Sequence, residues 1–587
     1  MESSYSQMVA LIWNIADDVL RDVFLRGQYR DVILPMVVLR RLDALLEPTK
    51  DQVEEEIKEN GGLKDLDEGI LTDITGLSYF NTSKWTLNRL KSQASDNNDI
   101  LYNNFIEYLN GYSENVRDVL NNFEYYSKAR KLADNDRLLA IIERITDPRI
   151  NLTDKNATDP EGLPLPALSN VDMGTIFEEL LRKFNEENNE EAGEHFTPRD
   201  AISLLAHLIF EPVKNNLPKI ISLYDPACGS GGMLTVGREY LLGIGVKNNA
   251  IQLAGTEINP ETYAICKSDL IIKGVDPRGV FHGNTITGKE LKGKVETSVL
   301  FPNGEKFGYM ITNPPYGKSW KVDKEKIYFD KTLLDSRYEL SLTNFAGEQE
   351  VVDSTPRTSD GQLLFILEEL DKLKSLEYQP QGARVASIHN GSSLFTGDAG
   401  SGESNIRKAI FDRDWVEGII QMPQQEFFNT GIYTYLWIMN KNKPEAHRNK
   451  VALIDGSGLW QLLKKSKGDK RREMNPSQRK QIVDALLAFK NNGICKVYDR
   501  EYFYYNKQSL TLTDLDENGV SVLDTICSDG KIEVKDGSTT LKPYDNDVPA
   551  LRLSEDGRIK FLDYLDGLND MTIDSYDAFL RAMEKDD

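Results

Sequence analysis

Between residues 220 and 440 a succession of short apolar runs ends on glycines or on a polar residue, with helical segments between them. The runs are Ile220-Ile-Ser-Leu-Tyr224, Leu253-Ala-Gly-Thr-Glu-Ile258, Tyr309-Met-Ile-Thr312, Ala383-Arg-Val-Ala-Ser-Ile388, Val416-Glu-Gly-Ile-Ile-Gln421 and Tyr435-Leu-Trp-Ile-Met439. Pro260 to Ile272 and Gln362 to Leu373 carry helical patterns between them. Strands of a parallel sheet covered on both faces read as near-continuous apolar runs joined by helices. The pattern therefore predicts an α/β domain with a largely parallel sheet. The runs 416–421 and 434–440 flank Asn429-Thr-Gly431 and are expected to form an antiparallel hairpin at the sheet edge.

The flanking segments differ. Residues 1–150 read as a helical domain, with Ile12, Ile15, Ala16, Val19, Leu20 and Val23 at helical spacing, then Ile33, Leu34, Val37, Val38 and Leu42. Residues 151–169, rich in Pro, Asp and Gly, read as a linker, and 170–455 as the α/β domain. Residues 456–587 read as a mostly helical, partner-contacting region. They open with a basic run, Lys464-Lys-Ser-Lys-Gly-Asp-Lys-Arg-Arg472, which fits a solvated surface segment or phosphate contact. From 491 onward, 11 Lys/Arg face 21 Asp/Glu, so this tail is no DNA-reading module. No run is long and apolar enough for a membrane span, and the first residues lack the charged and apolar regions of a signal peptide. Cys228, Cys266, Cys495 and Cys527 are scattered without a metal-ligand spacing, which excludes a zinc-site or disulfide-framework reading and fits a reducing cytoplasm.

Three strand ends carry the cofactor chemistry. The first is Asp225-Pro-Ala-Cys-Gly-Ser-Gly-Gly232. Open α/β sheets bind ligands at the carboxyl ends of their strands, where Gly229, Gly231 and Gly232 let backbone approach a ligand. It is neither a dinucleotide fingerprint nor a phosphate-binding Walker loop, and it fits S-adenosylmethionine (SAM). Asp225 would hold the loop or meet the ammonium of the methionine part. Glu257, ending the next strand, can accept from both ribose hydroxyls, and Asn284, after Phe281-His-Gly, can pair with the cofactor's adenine.

A further strand end is Asn313-Pro-Pro-Tyr316. The exocyclic amine of adenine is a poor nucleophile because its lone pair is delocalised into the ring. The Asn313 side-chain oxygen and the Pro314 carbonyl can accept its two N–H groups and free that lone pair. Pro314 and Pro315 fix the turn and offer no competing N–H. Tyr316 supplies a face for a base flipped out of the duplex.

At these residues the chain resembles the N6-adenine DNA methyltransferases, and more closely the modification (M) subunit of type I restriction–modification systems. Tyr29-Arg-Asp-Val-Ile-Leu-Pro-Met-Val-Val-Leu-Arg-Arg-Leu42, Gly193-Glu-His-Phe-Thr-Pro-Arg199, Arg384-Val-Ala-Ser-Ile-His-Asn-Gly-Ser-Ser-Leu-Phe395 and Met422-Pro-Gln-Gln-Glu-Phe-Phe-Asn-Thr-Gly431 extend the resemblance over roughly residues 5 to 510. It implies a Rossmann-like methyltransferase domain with a mixed seven-stranded sheet. By resemblance Glu194, His195, Phe196 and Thr197 join Asp225, Gly229, Ser230, Gly231, Gly232, Glu257 and Asn284 in holding SAM. Asn313, Pro314, Pro315 and Tyr316 would be catalytic, with Phe427 or Phe428 at the target base and no metal. The chain departs from the family at three places: Asn284 stands where an acid is frequent, His389-Asn390 replaces Pro-Asn, and Met422-Pro replaces Leu-Pro.

The resemblance also implies partners: a specificity (S) subunit, a restriction (R) subunit, a second copy of this chain in an assembly of two M subunits with one S subunit, and double-stranded DNA. Composition points the same way. DNA affinity comes largely from Lys and Arg on phosphates, and a net charge of −23 leaves this chain poorly equipped to bind DNA alone. Protein-glutamine and RNA methyltransferases share Asn-Pro-Pro-Tyr but are usually shorter and lack the helical domain. A methyltransferase of another phage-defence system and a non-catalytic scaffold are further alternatives.

Overall fold

The computed structural model describes residues 2–63, 66–94, 97–188, 197–291, 294–296, 304–343, 347–428, 430–467, 469–505, 531–535 and 538–542. Residues 1–499 form one compact unit and 500–587 another. Of the second, the described residues hold a short turn at Arg500–Phe503 and a hairpin, Lys531–Lys535 with Ser538–Lys542. No helix among the described residues is long and apolar enough to cross a membrane.

The centre of the first unit is a sheet of nine strands: β1 (Ile221–Asp225), β2 (Ile251–Glu257), β3 (Val280–His282), β4 (Tyr309–Thr312), β5 (Arg384–Asn390), β6 (Val416–Gln421), β7 (Thr434–Asn440), β8 (Lys450–Asp455) and β9 (Cys495–Asp499). Their spatial order is β9-β8-β6-β7-β5-β4-β1-β2-β3. The run from β5 to β3 is parallel. β7 is antiparallel to both its neighbours, and β9 is antiparallel to β8. The sheet is thus mixed, with nine strands where seven were expected. The two extra strands are β8 and β9, which lie beyond β6. The β6/β7 hairpin forms, but inside the sheet rather than at its edge, because β8 pairs with β6 and β9 with β8, which carries the sheet two strands further. Its turn residue Asn429 lies outside the described residues. Between 456 and 503 the described residues alternate strand and helix: a hairpin (Gln461–Lys467 with Lys470–Glu473), one helix (Pro476–Ala488) and β9.

Strand order sets the site. β1 and β4 are neighbours, with Leu223 opposite Tyr309 and Tyr224 opposite Met310. The loops leaving their carboxyl ends, after Asp225 and after Thr312, therefore emerge side by side. Strand residues 221–225 and 309–312 are buried throughout, as expected where helices cover both faces.

The N-terminal helices have a core of their own, but it is not closed without the α/β domain. It takes in Ala264, Ile265, Ile271 and Ile272 from the helix Pro260–Ile272 that follows β2, together with Met173, Ile176, Phe177 and Leu180. Every residue from Thr262 to Ile272 is buried, as for a helix wedged between two layers. Asn259 caps its start by accepting from Thr262 N–H (2.9 Å), and Pro260 takes the first position, where no N–H is needed. Polar contacts fix the same seam. Asp118 accepts from the Tyr263 hydroxyl (2.6 Å) and from Lys267 (2.7 Å), and Arg30 grips Glu261.

Residues 151–169 are tied down. Asn151 donates to the carbonyls of Lys155 (3.0 Å) and Pro166 (2.9 Å). Arg41, fully buried in the helix Arg30–Leu46, donates to the carbonyls of Leu152 (2.7 Å) and Leu168 (3.2 Å) and to Asn170 Oδ1 (2.9 Å). A buried acceptor left without its donor costs about 1–3 kcal/mol. Arg41→Ala is therefore expected to lower unfolding stability by about 3 kcal/mol in denaturant titration, with faster proteolysis between 153 and 165. Unchanged stability and unchanged cleavage would mean that Arg41 does not hold this segment.

Candidate active site

The cofactor loop is shaped by two residues in the left-handed region, Gly229 (φ 53°) and Gly231 (φ 88°). Gly231 caps the helix Gly232–Gly243. A Cβ on it would lie 2.7 Å from Cys266 Sγ, so a side chain is refused by conformation and by space. The loop is pinned from β2: Cys228 N–H donates to Thr256 O (3.0 Å) and Gly229 N–H to Glu257 Oε2 (2.9 Å). The other oxygen, Glu257 Oε1, accepts from Asn259 N–H (2.8 Å). Glu257 is thus a brace between the loop and the next helix. Its two oxygens together offer about four acceptor sites, so the diol contact expected from the sequence is compatible with this bracing.

Asp225 connects the loop to the Asn313–Tyr316 turn. Its Oδ1 accepts from Ala227 N–H (3.0 Å) and from the Thr312 hydroxyl (2.6 Å). Its Oδ2 is buried with no hydrogen-bond partner among the described residues. Burial pushes this carboxyl up to about 7; the Thr312 and Ala227 hydrogen bonds oppose that, and the charge of Glu257 adds to it.

One residue on from Thr312, Asn313 Nδ2 donates to Thr197 Oγ1 (3.0 Å). That leaves Asn313 Oδ1 buried without a partner among the described residues, and the Tyr316 hydroxyl is in the same condition. Burial pushes the Tyr316 phenol up to about 12. Two orphaned polar atoms in one turn are costly unless a ligand meets them. Pro314 is buried and Pro315 exposed. Behind the turn, Gly317 N–H donates to Asp360 Oδ1 (3.0 Å) and Gly361 N–H to Lys318 O (3.1 Å). The other Asp360 oxygen accepts from Gln362 Nε2 (2.6 Å), whose Oε1 faces His389 Nδ1 (3.2 Å) and accepts from Asn390 N–H (3.2 Å). Burial lowers His389 to about 3 and keeps it neutral. The residue that departs from the family pattern is therefore a fully buried strut.

Asn284 braces its own loop. Its Oδ1 accepts from Ile286 N–H (2.9 Å) and Thr287 N–H (3.4 Å), closing its own turn, and its Nδ2 donates to Asp323 Oδ1 (2.8 Å). Asp323, from the helix Lys321–Ile327, thus sets an acid against Asn284. The loop after β3 is held from beneath by Arg337, which donates to the carbonyls of Thr285 (2.9 Å) and Ile286 (2.8 Å) and pairs with Glu368 (2.5 Å). Phe427 is 2% exposed and belongs to the core with Ile420, Met422 and Met474, whereas Phe428 is half-buried. Of the two, Phe428 is the one left to face a ligand. Ser230 and Gly232 are half-buried in the loop. Glu194, His195 and Phe196 lie outside the described residues.

Thr312, Asp323, Arg337 and Asp360 were not singled out from the sequence. Each acts across a contact between residues far apart in the chain, for which no local pattern exists.

A model of the family N-6 DNA Methylase matches residues 169–516, and a model of the HsdM N-terminal domain matches residues 8–145. Type I restriction enzyme MjaIX methylase subunit from Methanocaldococcus jannaschii is 24% identical over 496 residues, 82% of this chain and 77% of that protein. Type I restriction enzyme HindI methylase subunit from Haemophilus influenzae is 23% identical over 372 residues, 61% of this chain and 72% of its own length. Among solved structures, the type I restriction-modification system methyltransferase subunit from Streptococcus thermophilus superposes with a TM-score of 0.59 at 21% identity, over 85% of this chain and 96% of that one. With its family model covering more than half of the residues, and the glycine loop and the Asn-Pro-Pro-Tyr turn side by side within that match, the chain belongs to the N-6 DNA methylase family.

Proposed function

We propose that this chain transfers a methyl group from SAM to the exocyclic N6 amine of adenine in DNA, as the modification subunit of a type I restriction–modification complex. The observation that carries the reading is Asn313 Oδ1, buried and unpartnered among the described residues, in a turn that Thr312 and Asp225 tie to the glycine loop.

The residues fit SAM. Asp225 Oδ2 is a buried acceptor without a donor among the described residues, suited to the ammonium of the methionine part. Gly229 and Gly231 leave bare backbone beneath it, and Asp323, with Asn284, supplies polar groups at the adenine end. Glu194, His195 and Phe196 would cover the methionine end, by resemblance alone. SAM supplies an electrophilic sulfonium methyl. The protein supplies position and charge stabilisation. Thr197 holds the Asn313 amide so that Oδ1, with the Pro314 carbonyl, accepts the two N–H groups of the base. As the amine becomes positive, both hydrogen bonds strengthen. Tyr316 and Phe428 bracket the flipped ring.

The partners of the reading are a specificity subunit that selects the site, a second copy of this chain, and a restriction subunit. A net charge of −23 supports a partner that supplies most of the DNA contact.

Asn313→Ala is expected to abolish methyl transfer from labelled SAM while leaving SAM affinity within about twofold, measured with the assembled complex. Near-normal turnover would remove Asn313 from the mechanism, and robust site-specific methylation by the chain alone would remove the need for a specificity subunit. The Asp225 carboxyl, lifted to about 7, gives a pH dependence. A cationic ligand group favours the ionised carboxylate, so SAM affinity should fall as pH drops through about 7, approaching tenfold per pH unit below it. Calorimetric titration between pH 6 and 8 reads this directly. In Asp225→Asn the dependence should be lost, and an affinity that rises on acidification would contradict the ammonium contact.

A further inference from the structure

The run Gln461 to Glu473 carries six Lys or Arg against two acids, in a chain of net charge −23. It forms an antiparallel hairpin, with Gln461 opposite Glu473 and Leu462 opposite Arg472. The hairpin is docked by its backbone onto the loop that presents Phe428. Asp469 N–H donates to Phe428 O (2.9 Å), and Arg471 and Arg472 N–H donate to Gln425 O (3.0 and 3.3 Å). Lys470 fixes it further. Its Nζ, 4% exposed as a residue, reaches Glu426 O (2.8 Å), Glu426 Oε1 (2.7 Å) and both Asp200 oxygens (3.2 Å). Asp200 lies in the first turn of the helix Arg199–Phe210, three residues after the Thr197 that holds Asn313. The anchor thus joins the hairpin, the base-side loop and the segment that orients the catalytic amide.

The side chains of Lys464, Arg471 and Arg472 take no part in this anchor. Strand alternation turns Arg471 to the face opposite Lys470. Arg472 lies over the Trp460 ring at 3.9 Å. Lys464 and Arg471 are exposed and make no ion pair among the described residues. A ribbon clamped to the loop beside the target base, with uncompensated positive charge outward, matches a polyanion that passes that base.

We propose that the hairpin Gln461–Glu473 is a phosphate-binding ribbon that holds the DNA backbone beside the target base, with Lys464 and Arg471 as phosphate contacts and Lys470 as its internal anchor. This rests on the DNA substrate proposed above. Phosphate contact is independent of sequence, so any duplex serves as probe.

The test measures binding of the assembled complex to a duplex oligonucleotide of arbitrary sequence by fluorescence anisotropy, over a range of salt. Each phosphate contact contributes roughly 0.9 to the slope of log K against log salt. Lys464→Ala with Arg471→Ala should therefore reduce the slope by about 1.8, leaving SAM affinity, thermal unfolding and methyl transfer at saturating DNA unchanged. A slope equal to that of the unaltered complex would overturn the proposal. So would loss of assembly with the specificity subunit in gel filtration, which would assign the hairpin to a protein partner. The outcomes separate from those of the function itself. An unaltered complex that shows the slope but methylates no adenine sinks the functional reading, whereas an active complex with no slope change in the variant sinks the ribbon.

Discussion

At the carboxyl end of β1, fully buried, Asp225 accepts through one oxygen from Ala227 N–H and from the Thr312 hydroxyl. This short bridge joins a loop that can hold a cofactor to the turn that can hold a base. It exists because β1 and β4 are adjacent in the sheet, although Asp225 and Thr312 stand 87 residues apart in the chain. The bridge also leaves the second carboxylate oxygen without a partner among the described residues, and burial lifts the group's pKa to about 7. Loop, carboxylate and Asn-Pro-Pro-Tyr turn are tied together by these hydrogen bonds, which suits the proposed transfer between two bound molecules.

Much of this was legible in the sequence because it is written locally. A buried strand is an apolar run, and its polar end is a departure from it, as at Asp225, Glu257 and Asn313. The partners of those residues were not legible. Nothing near Asn313 in the chain points to Thr197, and nothing near Asn284 points to Asp323, since those distances are set by sheet order and helix packing. β9 was hidden for another reason. Among the described residues Cys-Lys-Val-Tyr-Asp is the last strand of the sheet, and its pattern is short and largely polar. β8 has a clear apolar centre, Val451 to Ile454, but lies where the α/β pattern was expected to finish. Phe427 and Phe428 are alike in sequence, and only packing separates the core residue from the half-buried one.

The helical domain belongs to the same mechanical object. The helix Pro260–Ile272 begins two residues after Ile258 and is buried between the two cores, with Arg30 and Asp118 gripping its polar side. Glu257 braces both that helix's start and the glycine loop. A shift of the N-terminal helices would therefore reach the loop through a single turn of chain. On the opposite flank, Lys470 ties the basic hairpin to the loop before Phe428 and to Asp200. The acidic chain thus keeps a basic hairpin next to the residues proposed to meet the base.

The most direct test of the account is the identity of the methylated nucleoside. DNA incubated with the assembled complex and methyl-labelled SAM is digested to nucleosides and separated by chromatography with mass detection. The account predicts label in N6-methyldeoxyadenosine alone. Label in a methylated cytosine, or label that stays with protein rather than DNA, would contradict it.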